Sequence, residues 1–409
     1  MRYLIFSISF VLLFPACSRQ AAKKTLTKAE ANKAELESSV SKLLGTLEND
    51  YQDEHSRWTE QGNKKMTPQE SQAHYKSHPA KEYGEKLIEF IDSYPDSAAA
   101  KKAWPIALKY GQGVSKQRAG EAVLNAAIAE TDPSLSLKSF EHLMVYGMGE
   151  PQKKAMELML AQARKESDPA ASMKIIEKVA TSRKGTVISD GVILMPGNAE
   201  VREQAFKQLR ELAASKDVQS DTAVRCLGLQ FQYASEEMKK EAFEELLKNH
   251  SSHEQTMAIV LNLGNQVNAE SKAMIEQAID SPDQNAQANA MVALSKFHSQ
   301  KEREFLYYET APPMHLMGLG KDRAAYLKSK IDPAEIGKVE TYLSDFVESA
   351  SDDTDAKVLA LARKQLFEVQ NLAAGKKALE ISGQDLDGVE FKLSDYRGQV
   401  VVLDFWGDW

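Results

Sequence analysis

From residue 23 to residue 370 the chain is a run of strong helix formers, cut at intervals by proline beside a capping side chain. Tyr94-Pro95-Asp96-Ser97, Thr131-Asp132-Pro133-Ser134, Ser167-Asp168-Pro169-Ala170 and Asp280-Ser281-Pro282-Asp283 share this chemistry. An Asp or Ser oxygen accepts from the orphan N–H groups at a helix start, and proline fixes the first-turn φ. Pro95, Pro133 and Pro169 recur at steps of 38 and 36 residues. Helix-pair repeats have periods of about 34 to 47 residues. The pattern predicts a mainly α fold, a helical-repeat-like α-solenoid array over 81–370. No signature residue aligns at every step, so the array is expected to be irregular.

Residues 18–80 read as a polar helix and linker. A long helix over 30–51 would carry Leu36, Val40, Leu43, Leu44 and Leu47 along one face. The stretch 54–78 is polar, contains Gly62 and Pro68, and reads as the linker. Inside the array, Asp190-Gly191 between β-branched residues signals a hairpin. It serves either as a projecting binding loop or as a long connection between helices. Past residue 370 the period changes. Gly375 suits a helix C′ position. Asp385-Leu386-Asp387-Gly388 has turn chemistry between apolar positions, so a β-hairpin is expected. Residues 393–398 then read as a turn and 400–405 as a buried strand.

A net charge of −8 with no basic patch gives a nucleic-acid partner no support. The first residues read as a targeting segment. Arg2 precedes an apolar run over 3–14, too short for a bilayer-spanning helix of about 20 residues. That run ends in Leu13-Phe14-Pro15-Ala16-Cys17-Ser18. Ala16 before Cys17 resembles a bacterial lipobox, although Phe14 replaces the usual aliphatic residue three places before the cysteine. The resemblance implies a signal peptide over 1–17 and lipidation at Cys17. It also implies a lipoprotein anchored to the membrane of the cell envelope and facing the periplasm. The other reading is an ordinary secretory signal with a cysteine at its end. Cys226 is the second of two cysteines, and a single unpaired thiol forms no intramolecular disulfide. It lies on an apolar helix face and reads as a small buried residue rather than a reactive thiol.

Three groups of residues near the C-terminus occur in a telling order. They are 383–388 (Gly-Gln-Asp-Leu-Asp-Gly), 391–398 (Phe-Lys-Leu-Ser-Asp-Tyr-Arg-Gly) and 400–406 (Val-Val-Val-Leu-Asp-Phe-Trp). Together they resemble the redoxin branch of the thioredoxin-like superfamily, the TlpA-like and peroxiredoxin-like (AhpC/TSA-type) oxidoreductases. The resemblance covers under a tenth of the chain. It implies that 376–409 is the front of a thioredoxin-like α/β domain, its N-terminal β-hairpin and first strand. By the same resemblance Asp404 corresponds to the buried acid beside the redox site, and Trp406 and Trp409 to its aromatic shelf. The catalytic thiol of Cys-x-x-Cys, or a selenol in Sec-x-x-Cys, is expected directly after Trp409, so no catalytic residue is present within 1–409. In such sites a helix N-terminus stabilises the thiolate. The helical part resembles, more loosely, the N-terminal halves of envelope redoxins.

Three readings of the end at Trp409 stand together: a UGA codon recoded as selenocysteine, a nonsense mutation or fragment, and a true end. The recoded codon is favoured, because an apolar strand with unpaired edges is an aggregation hazard. On this reading the protein is an antioxidant-type oxidoreductase, a thiol-disulfide oxidoreductase or a thiol/selenol peroxidase. It acts on thiol/disulfide proteins or peroxides and needs no cofactor. The alternative is a helical-repeat lipoprotein scaffold for protein–protein interaction, with a vestigial redoxin segment.

Other chemistry is thin. His250 and His253 sit at a helix end, and His74 and His78 fall at i, i+4 in a polar segment; neither pair reads as a metal site. Asp352-Asp353-Thr354-Asp355 reads as a helix cap without the spacing of a Ca²⁺ loop. Met144, Met148, Met156 and Met159 are spaced as core residues.

Overall fold

A computed structural model describes residues 28–189, 192–194, 196–310, 321–329, 333–352, 354–372 and 376–403. Cys17, the turn at Asp190-Gly191, Gly375, Asp404, Trp406 and Trp409 lie outside these residues. The chain divides into two compact units, 1–152 with 186–195, and 153–185 with 196–409.

The first unit holds α1 (Lys28–Gly62), α2 (Pro68–Lys76), α3 (Ala80–Ser93), α4 (Ala98–Tyr110), α5 (Gly113–Ala129) and α6 (Pro133–Tyr146). It also holds a two-stranded antiparallel sheet of β1 (Val187–Ser189) and β2 (Val192–Leu194). Helices α3 to α6 each pack on the next in sequence, the arrangement expected of a repeat array. The anticipated hairpin forms, but β2 lies against α4 and α6 rather than projecting as a loop.

The expected linker over 54–78 is helical instead. α1 continues to Gly62, and α2 starts at a capping box in which Thr67 and Glu70 exchange hydrogen bonds. The reason lies in the rings. Trp58 stacks on His74 with centroids 4.2 Å apart and meets His78 edge-on at 4.3 Å. The Trp58 indole N–H donates to the His74 carbonyl at 2.8 Å. Aromatic packing thus holds a segment whose polarity suggested a loop. The buried stripe of α1 is Val40, Leu44 and Tyr51, whereas Leu36 and Leu43 are exposed. Tyr51 stacks on Tyr83 of α3 at 4.3 Å, which anchors the helix about one turn beyond the expected face.

Lys116 in α5 is 2% exposed, and its ammonium donates to the Lys109 carbonyl at 3.4 Å. Burial pushes its pKa down to about 8. The unfolded chain keeps a proton that the folded chain sheds, so this group adds stability as pH rises from about 8 toward 10.5. Lys116→Met lacks that gain. Wild type is expected to gain about 2–3 kcal/mol on the variant between pH 7 and 10 in paired urea titrations. A pH-independent difference between the two would show that the ammonium stays charged in the fold.

The second unit begins in α7 (Gly149–Ala163) and continues through α8 (Pro169–Ala180), α9 (Ala199–Ala213), α10 (Ser220–Tyr233) and α11 (Glu236–Asn249). Here too, successive helices from α8 to α11 pack side by side. Then follow α12 (Glu254–Leu263), α13 (Ala269–Ile279), α14 (Gln284–Thr310), α15 (Lys321–Lys328), α16 (Pro333–Glu348) and α17 (Ala356–Asn371). In this stretch the pattern changes from array to bundle, because α14 is packed by α12, α13, α15, α16 and α17. Its 27 residues carry Ala288, Val292, Ala293 and Phe297 into the core, all 0–1% exposed. The chain is thus a mainly helical array followed by a small β-hairpin. No described helix is long and apolar enough to cross a membrane.

The proline-linked caps form as anticipated. Asp132 accepts from Ser134 N–H at 2.8 Å, and Asp168 from Ala170 and Ala171 at 3.1 and 3.2 Å. Ser97 and Asp283 cap α4 and α14 in the same way. Caps of this kind are each worth about 0.5–2 kcal/mol. The 36-residue step carries a second bond. Ser136 donates to the Ala127 carbonyl at 2.7 Å, and Ser172 to the Ala163 carbonyl at 2.8 Å. In both cases the hydroxyl of a starting helix satisfies the frayed end of the preceding one.

Candidate functional site

The segment 382–398 folds locally. β3 (Ser382–Gln384) pairs antiparallel with β4 (Glu390–Lys392), in the register Ser382↔Lys392, Gly383↔Phe391 and Gln384↔Glu390. The turn is built by Asp385, whose carboxylate accepts from the Asp387 and Val389 N–H groups, each at 2.9 Å. Gly388 sits at φ 78°, a left-handed conformation that favours glycine. A 3₁₀ turn (Leu393–Tyr396) follows, started by Asp395 accepting from Lys392 N–H at 2.9 Å. Glu380 accepts from Ser394 N–H at 2.9 Å. Hydrogen bonding from Ser394 holds the Glu380 carboxyl below the usual range. The residues quoted from sequence for the hairpin and turn are therefore those that shape them.

The strand expected over 400–405 differs. Residues 401–403 have no regular structure, and Val400 and Val402 are 98% and 87% exposed. A strand is defined by its neighbour, and no described segment pairs with this one. Asp404, Trp406, Trp409 and Cys17 lie outside the described residues.

Cys226 is where the sequence placed it, on the buried face of α10, with 0% exposure. Burial pushes its thiol up to about 12. It has neither the exposure nor the electropositive setting of a redox thiol.

The structure assembles a polar cluster that sequence reasoning missed. Glu335 at the start of α16 receives Lys272 of α13 at 2.7 Å and His298 of α14 at 3.2 Å. Lys301, one turn further along α14, donates to Ser329 at 2.8 Å and lies 4.5 Å from the Tyr326 ring centroid. Burial lowers the His298 and Lys301 pKa values, against the pull of Glu335. Burial opposes charge on Lys272 and Glu335 as well. There the mutual pairing outweighs it, holding the lysine up and the carboxyl down. The Tyr326 hydroxyl is buried with no hydrogen-bond partner among the described residues. A pocket of about 410 Å³ adjoins, with His298, Ser295, Arg303 and the carboxylates of Glu302 and Glu368 on its polar side and Ile336 and Val339 on its apolar side.

Chemically the cluster is a neutralised, hydrogen-bonded knot. Glu335 fixes the His298 ring. Glu335→Gln strips His298 of its carboxylate, leaves Lys272 only Glu276 at 3.3 Å, and is expected to cost about 1.5–3 kcal/mol in urea unfolding. A change below about 0.5 kcal/mol would place the cluster among solvated surface pairs. Because the folded state holds His298 down, its contribution is lost as pH falls through the ordinary histidine range.

The remaining polar candidates resolve into structure. His253 caps α12 and contacts Asp221 at 3.0 Å, while His250 ends α11 against Ser220 at 3.1 Å. His74 and His78 pack on Trp58. Asp355 caps α17. Met156 and Met159 are fully buried, and Met144 and Met148 partly so. Among the described residues no three His, Cys, Asp or Glu side chains gather as a metal site. No family model matches the chain, and no curated protein matches it.

Proposed function

We propose that the protein is an envelope-facing oxidoreductase of the redoxin class, a thiol-disulfide oxidoreductase or a thiol/selenol peroxidase. Its helical units would carry the redoxin segment and contact partners. The observation that carries this reading is the hairpin and turn over 382–398. Its shape rests on the same Asp385, Gly388 and Asp395 that carry the family resemblance. The apolar run Val400–Leu403, exposed and unpaired, is the kind of segment that a central sheet takes up. Cys226 is too deeply buried to supply the chemistry, so the reading places the reactive thiol or selenol directly after Trp409. The substrates are peroxides or protein disulfides, and the anchor is lipid on Cys17.

The test begins at the nucleotide level. A UGA or cysteine codon after that for Trp409, with a cysteine codon three residues on, is the expected result. The extended product is then assayed for peroxide and insulin reduction, and Cys17→Ser is expected to release it from the membrane fraction. Any other codon there, or full activity in a form ending at Trp409, sinks the redoxin reading. The helical-repeat scaffold then stands, favoured by the side-by-side stacking of successive helices.

A further inference from the structure

We propose that the groove between α14 and α17 binds a phosphate dianion, free or as a small phosphomonoester, through Lys296, Arg303 and Lys364. These three cations line one pocket of about 260 Å³, together with Asn265, Gln365 and the single carboxylate of Glu368. None of the three is ion-paired with another described residue. Two other cations of the bundle are paired, Lys272 with Glu335 and Lys357 of α17 with Glu254, each at 2.7 Å. Lys296 is half-buried, while Arg303 and Lys364 are exposed at the mouth of the recess, so the three like charges are gathered on one opening of a chain whose net charge is −8.

The geometry of the recess is built by its frame. Lys296 and Arg303 are seven residues apart on α14, two turns on one stripe, with a rise of about 10 Å between them. Side chains of their length reach a common point from that spacing. Lys364 approaches from α17. Its register is fixed by its neighbour Gln365, 3% exposed, whose amide donates to Ser295 at 3.0 Å. Since Ser295 precedes Lys296, the bond sets Lys364 opposite Lys296. The same amide donates to Glu368 at 3.2 Å, so the one carboxylate of the pocket is engaged by a neutral group.

The third wall is the end of α12. A Cβ on Gly264 would lie 2.5 Å from the Ala293 carbonyl, so only glycine lets Asn265 come this close to α14. Asn265 adds an amide to the lining. Three cations against one engaged carboxylate favour a doubly charged anion, and the Arg303 fork suits phosphate oxygens. The volume lies below the 300–1,000 Å³ usual for drug-sized ligands, which limits the ligand to an ion or a small phosphomonoester.

The experiment is calorimetric titration of the full chain with inorganic phosphate and with glycerol 3-phosphate, at fixed ionic strength set by chloride. Saturable binding is expected, weakened at least fivefold in Lys296→Gln, Arg303→Gln and Lys364→Gln and unchanged in Lys357→Gln. Which of the two probes binds more tightly separates a free ion from an ester. Circular dichroism checks each fold. If Arg303→Gln does not fold, Arg303→Lys keeps the charge, loses the fork and is expected to bind more weakly. Absence of saturation overturns the proposal. So does equal binding by all the variants, or equal displacement by chloride.

Discussion

Cys226 is expected to resist thiol reagents in the native protein and to react fully once the chain is unfolded. In the chain 1–409 carrying Cys17→Ser the signal belongs to Cys226 alone. Its pKa, raised by burial from the ordinary 9.0 to about 12, cuts the thiolate fraction at pH 8 about 1,000-fold. The side chain is also closed to the reagent, at 0% exposure. Labelling must therefore wait for the opening of α10, and its rate reads the local stability of that helix. The measurement is release of nitrothiobenzoate with and without guanidinium. Prompt stoichiometric release from the native protein would overturn this picture and reopen Cys226 as a redox residue.

The second large effect is expected from Phe243→Ala. Phe243 is 0% exposed on α11 and meets Phe231 of α10 with ring centroids 5.6 Å apart. α11 serves two cores at once. Phe243 and Leu247 enter the large cluster that runs on through α12, α13 and α14, while Ala242 and Leu246 enter a smaller one with Val224 and Leu227. Removing the ring leaves a cavity where two layers meet, at a cost of about 3–5 kcal/mol. Domains of this size have about 5–15 kcal/mol in total, so a fall in melting temperature of about 6–20 °C is expected. Phe367→Ala on α17, 49% exposed, is the control and is expected to move stability by less than about 0.5 kcal/mol. Equal effects of the two substitutions would show that the α11 layer does not hold the second unit together.

What could be read from the sequence was what is decided within a few residues. Asp132, Asp168, Ser97 and Asp283 cap helices because a short polar side chain reaches its own backbone two or three residues on. Asp385 and Gly388 shape their turn by the same locality. Misreadings arose where a distant partner decides. The stretch 54–78 has a loop-like composition, yet Trp58 finds His74 sixteen residues away. Residues 400–403 have strand composition, but a strand needs a second strand beside it. Leu36 and Leu43 share a helix with Val40 and Leu44, and only the latter pair meets the core. The Lys272–Glu335–His298 knot joins residues 63 and 37 positions apart on three helices. The same holds for the cations of the α14–α17 groove, whose common recess exists only after the bundle has formed.

The serine bonds at the 36-residue step bear on the order of folding. Ser136 and Ser172 each reach a carbonyl only nine residues earlier, in the turn just completed. Such a clasp needs nothing from the rest of the chain. Closing it costs little loop entropy, and contacts of short range favour fast assembly. During synthesis from the N-terminus these two corners are able to lock before the following helix leaves the ribosome. The α14 bundle is different, because its contacts wait for α16 and α17. This protein is therefore built to mature in two tempos, a corner-by-corner start and a concerted finish.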